Sequence, residues 1–172
     1  MAVLFIVAGH ETTVSLITNA ALALLGQPDE LERLKADPAL MRPAVEELLR
    51  YDSPVERTIA RWVTEDTQLG GQAIARGNLV IAVVGSANRD DAQFPDADVL
   101  DLGRAENRHV GFGRGPHFCL GAPLARLETE IALETLLRRL PNLRLAIADD
   151  DLYWRPIPLF RSLASLPVAW DV

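Results

Sequence analysis

Residues 2–25 read as one long helix whose apolar side chains fall on nearly every face. Val3, Leu4, Phe5, Ile6, Val7, Val14, Leu16, Ile17, Leu22, Leu24 and Leu25 leave no broad polar stripe, and Gly26 and Pro28 end the run. A helix that is apolar all round belongs in the interior of a large protein. The chain has 172 residues in all, too few to surround such a helix completely. The expectation is a helix that stands at the centre of something larger than this chain, or that is covered by another copy of it. A membrane span is excluded by His10, Glu11, Thr12, Thr13, Ser15 and Asn19, which interrupt the apolar run too early. A secretory signal is disfavoured by the lack of a basic start and of a cleavage site.

The rest of the chain reads as a single unit, mainly α with small antiparallel β, an α+β class. After the central helix at 1–26, residues 27–56 carry two short helices, Pro28–Lys35 and Ala39–Tyr51. Residues 57–84 switch to strand character, with 58–63 and 79–84 separated by the turn signals Gly70-Gly71 and Gly77-Asn78. Ser86–Asp90 suits one helical turn. Residues 85–119 otherwise read as a long loop that ends in a glycine-rich stretch. Residues 120–140 form the second long helix, stopped by Pro141. Residues 141–172 hold short strands at 143–147 and 163–170. The formal net charge of −7 argues against a nucleic-acid partner. A single cysteine allows no internal disulfide and suits a reducing, cytoplasmic setting.

That cysteine, Cys119, lies in the run FGRGPHFCLGAPLAR at 112–126. A free cysteine is ordinarily a small buried hydrophobe. Here a glycine loop precedes it and a helix start follows, so backbone N–H groups and the positive helix end are directed at the sulfur and favour thiolate. A thiolate so held can ligate a metal such as haem iron. Phe112, Gly113, Gly115, His117, Cys119, Gly121, Leu124, Ala125 and Arg126 together make the run resemble the haem-binding loop of the cytochrome P450 superfamily, the haem-thiolate monooxygenases. Two further segments resemble that family in its order. Ala8-Gly9-His10-Glu11-Thr12-Thr13 is similar to its oxygen-binding groove, and Glu47-Leu48-Leu49-Arg50 to its Glu-x-x-Arg helix. A zinc-protease reading of His10-Glu11 fails, because Val14 stands where a second histidine is needed.

The resemblance implies the C-terminal part of the cytochrome P450 fold, with the substrate roof expected upstream, and haem b as cofactor. It makes Cys119 the iron ligand, and Thr12 and Glu11 the proton-delivery groups. Arg61 and His117 would hold the haem propionates, and Phe112, Gly113, Gly121, Ala8 and Gly9 would shape the haem pocket. Glu47, Arg50 and Arg104 would form a structural triad. The implied parent activity inserts one oxygen atom from O2 into an organic substrate, with electrons from a ferredoxin-like donor. Plainer readings stand beside these. Thr12 could simply bond back into its helix, Arg61 could be a solvated strand charge, and His117 could pair with Cys119 as a catalytic couple. Arg104, Arg108, Arg114 and Arg126 could either dock an acidic donor or lie solvated. The rival to an enzyme is a catalytically incompetent fragment, haem-bound or apo. It would self-associate through the central helix as a homo-oligomer or pair with a missing N-terminal half.

Overall fold

The computed structural model describes residues 2–171, with side chains described from Phe5 to Asp171, so Met1, Val172 and the side chains of Ala2, Val3 and Leu4 lie outside the described residues. Helix α1 spans Ala2–Leu25, α2 Pro28–Ala36 and α3 Met41–Tyr51. Proline sits in the first turn of α2, where the missing N–H would have had no helical partner. A 3-10 turn at Pro38–Leu40 leads into α3, and the Asp37 side chain accepts the Ala39 N–H there. The strands that follow are β1 (Arg61–Trp62), β2 (Thr67–Leu69), β3 (Gln72–Ile74) and β4 (Leu79–Val80). A short α4 covers Val84–Ala87, α5 runs over Ala122–Arg139, and β5 (Arg144–Leu145) and β6 (Val168–Ala169) close the chain.

The strands make three two-stranded antiparallel ladders, β1–β4, β2–β3 and β5–β6. Arg61 faces Val80 in the first, and Leu69 faces Gln72 in the second. The structure departs from the sequence expectation at two points. The strand pair expected at 58–63 and 79–84 is only two residues deep on each side. The Gly70-Gly71 step does not merely separate it but forms the turn of an extra hairpin, β2–β3. Both glycines have positive φ, +56° and +83°, a conformation that side-chain-bearing residues rarely adopt.

The core gathers the C-terminal half of α1 (Ala20, Leu24), α2 (Leu31, Leu34), α3 (Met41, Ala44, Val45, Leu48), Leu133 of α5, and Leu100 and Leu102 of the long loop. Helix α1 is therefore divided. Leu24 is 1% exposed, whereas Ile6 is 68% exposed, with Phe5, Val7 and Val14 also open to solvent. No helix among the described residues is long and apolar enough to cross a membrane.

Candidate haem-thiolate site

The N-terminal half of α1 and the loop before α5 face each other across an apolar cleft of about 300 Å³. Ala8 and Thr12 line one wall, and Phe112, Gly113 and Cys119 the other, with Leu49 and Val84 among the residues between them. The loop reaches this shape because Gly113 and Gly115 both take φ +73°. The Gly113 N–H donates to the Val110 carbonyl at 2.8 Å, and the Cys119 N–H donates to the Phe112 carbonyl at 2.9 Å. A 3-10 turn at Gly115–His117 lies inside the loop. Helix α5 then begins three residues after the sulfur, with proline in its first turn. A Cβ built on Gly121 would lie 3.9 Å from the Cys119 sulfur, an ordinary van der Waals contact.

On the opposite wall, the Thr12 hydroxyl donates to the Ala8 carbonyl at 2.6 Å. Thr13, Ser15 and Thr18 bond back in the same way to Gly9, Glu11 and Val14. The plain reading of Thr12 as a back-bonded helix residue thus describes its hydroxyl, while the residue still lines the cleft. Glu11 points elsewhere and pairs with Arg155 at 2.5 Å, 144 residues along the chain. A Cβ on Gly9 would meet nothing within 4 Å. Arg61 and His117 are exposed, and neither side chain has a polar partner among the described residues. The structure therefore brings Ala8, Thr12, Phe112, Gly113 and Cys119 to one cleft. It leaves Glu11 in an ion pair outside the cleft lining.

The third motif is a buried charge cluster. Glu47 and Arg50 are 0% and 1% exposed. All five Arg50 donors are used: two reach Glu47 at 2.7 and 2.9 Å, and three reach the carbonyls of Asn88, Ala97 and Val99. Arg104 comes from the loop to the same carboxylate at 3.2 Å and also binds the carbonyls of Pro95, Asp96 and Val99. Glu47 further accepts the Asp101 N–H and the Asn107 side chain. Such a cluster survives burial because every charge is met. It pins residues 88–107 onto α3.

Sequence reasoning passed over the neighbouring carboxylate, Glu46. It accepts two bonds from Arg126 at 2.5 and 2.9 Å and one from His109 at 3.0 Å. Burial pushes the Glu46 carboxyl up, but His109 and then Arg126 outweigh it and bring it down to about 2. The four-arginine patch is likewise divided. Arg104 and Arg126 are engaged inward, Arg108 pairs with Glu106, and Arg114 alone of the four has no polar side-chain partner among the described residues.

The donor chemistry fits an iron macrocycle. The cleft offers one sulfur beside small residues, and no group of three or more His, Cys, Asp or Glu able to hold a bare metal ion exists among the described residues. A single cysteine sulfur is the kind of protein ligand that haem iron takes in haem-thiolate proteins.

The profile of the family described as Cytochrome P450 matches residues 1–143. A protein named Cytochrome P450 from Bacillus subtilis is 51% identical over 170 residues, covering 99% of this chain and 42% of its own length. Cytochrome P450-SU2 of Streptomyces griseolus is 51% identical over 167 residues, covering 97% and 41%. The crystal structure of myxobacterial cytochrome P450 CYP267B1 in complex with myristic acid superposes with a TM-score of 0.95 at 49% identity, covering 100% of this chain and 43% of that one. The chain thus spans about 42% of the length of the curated relatives it matches.

Proposed function

The chain belongs to the cytochrome P450 family, and from that premise we propose that it is a haem-thiolate monooxygenase unit with Cys119 as the iron ligand. The observation that carries this reading is the meeting of Cys119 with Ala8 and Thr12 across one apolar cleft. The proposed activity is insertion of one oxygen atom from O2 into an organic substrate, with electrons from a ferredoxin-like donor. Haem, when bound, supplies dioxygen binding and activation, chemistry that side chains alone lack.

The chain's own residues do the rest. The glycine loop, closed by the Cys119 N–H on the Phe112 carbonyl, holds the sulfur just before the start of α5. Phe112 and Leu49 present apolar surface that excludes water from the sulfur side. With its hydrogen committed to Ala8, the Thr12 oxygen is left to accept a hydrogen bond from water or from a protonated group in the cleft. Glu11, the next residue on the helix, is partly exposed and would draw protons from solvent when its pair with Arg155 opens. Arg61 and His117 carry donors that are unpartnered among the described residues and suited to the two propionates. Glu47, Arg50 and Arg104 fix the loop that carries the site.

A second reading is favoured by the exposed Phe5, Ile6 and Val7. On its own, this 172-residue chain would be catalytically incompetent. It would cover that face by self-association or against further polypeptide. The test of the main reading is a spectrum of the reduced, carbon-monoxide-treated protein. A strongly red-shifted Soret band that Cys119→Ser removes is the expected result. A band that survives the substitution refutes ligation by Cys119.

A further inference from the structure

We propose that Glu46 is a positioning residue for the Cys119 loop, gripping Phe112 and the backbone of residues 109–111 from α3 through Arg126 and His109. Its meaning for chemistry rests on the reading of Cys119 as the iron ligand.

Glu46 stands beside the buried Glu47 but faces the opposite structure, α5 and the cysteine loop. Its carboxylate takes the guanidinium of Arg126 by two parallel bonds, at 2.5 and 2.9 Å. That fork fixes the plane of the guanidinium as well as its position. The plane matters because the Arg126 guanidinium carbon lies 4.5 Å from the centroid of the Phe112 ring, in cation–π contact. The other grip is His109, whose side chain is only 5% exposed. Its Nδ1 accepts the Gly111 N–H at 3.1 Å, so in the neutral ring Nε2 carries the proton and donates to Glu46 at 3.0 Å. Phe112 is thus fixed through its ring by Arg126 and through the preceding backbone by His109. Its own carbonyl receives the Cys119 N–H at 2.9 Å. One carboxylate therefore reaches the Cys119 backbone through two short chains of contacts. Glu46 touches neither the sulfur nor the cleft.

A merely structural Glu46 would join α3 to α5 and do no more. Arg42 and Glu130 provide the comparison: they also join those helices, at 3.6 Å, and belong to none of these contacts. The experiment follows amide hydrogen exchange along the 172-residue chain and the rate at which iodoacetamide alkylates its single thiol. In Glu46→Gln, exchange over residues 109–119 and alkylation of Cys119 should both rise about tenfold, while the amides of Leu16–Leu24 keep their protection. Glu130→Gln should leave both readouts at the wild-type rate. Glu46→Asp, which keeps the charge, should recover part of the change. Should Glu46→Gln not fold, Arg126→Lys keeps the positive charge but loses the fork, and should show the same rise confined to the loop. Unchanged loop exchange, or an equal rise throughout the chain in the Glu46 and Glu130 variants, overturns the proposal. Neither readout needs haem. A failed clamp therefore leaves the Cys119→Ser spectrum free to support ligation, and a failed spectrum leaves the clamp standing.

Discussion

The two walls of the cleft are built on opposite terms. Behind the cysteine loop, α3 and residues 88–107 bury two full charges and provide hydrogen-bond partners from within the chain. Across the cleft, just before the lining residues Ala8 and Thr12, α1 holds the apolar side chains of Phe5, Ile6 and Val7 in solvent, with Ile6 68% exposed. The first wall is expensive to build and self-sufficient. The second is simple, a plain helix, and incomplete. The cysteine side of the cleft is thus held by contacts within this chain, whereas the start of α1 leaves apolar side chains open to solvent.

Three measurements would break or sharpen that contrast. The largest effect belongs to the buried wall. Glu47→Ala strands Arg50 without its counter-charge and should cost about 3–5 kcal/mol in a denaturant melt. A loss below about 1 kcal/mol, the range of exposed pairs, would mean the two walls do not differ in kind.

Next comes Glu46, whose carboxyl is held at about 2 against an ordinary 4.5. A group depressed on folding stabilises above its unfolded pKa, and that contribution fades as pH falls from about 4.5 towards 2, up to about 3 kcal/mol in all. Wild-type stability should therefore fall more steeply between pH 5 and 2.5, in rough terms, than that of Glu46→Gln. Parallel curves would remove the clamp from the stability of the first wall.

The smallest effect on folding belongs to the open wall. Ile6→Ser should change unfolding free energy by less than about 0.5 kcal/mol, because little is packed there to lose. Light scattering should nevertheless show it lowering the solution mass if copies of the chain cover that face. A large loss of stability in a monomer would show that Ile6 is already packed.

What sequence reasoning could reach follows the same division between local and distant. Gly113 and Gly115 announce their positive φ because few other residues tolerate it, and Cys119 follows at a fixed spacing. Glu47 and Arg50 are one helical turn apart and legible as a pair. Arg104 joined them only through family resemblance. Glu46 gave no such signal. Its partners stand 63 and 80 residues away, and a glutamate on a helix is ordinarily a solvated charge. The Glu11–Arg155 pair is invisible for the same reason. The β2–β3 hairpin was missed because its strands are three residues long and almost wholly exposed, so no apolar alternation marks them. Its Gly70-Gly71 step was the one clue.

Arg50 and Arg104 approach one carboxylate from two segments of the chain, and this bears on how the site assembles. With only one arginine docked, the other leaves carbonyls and a buried carboxylate short of donors, a state with little to recommend it over either end point. Residues 95–107 should therefore seat and unseat as one cooperative unit, like a latch with no half-closed position. The cysteine loop begins only two residues beyond, at His109. Its footing is then set by that latch, so whatever loosens residues 95–107 should loosen the cysteine loop with them.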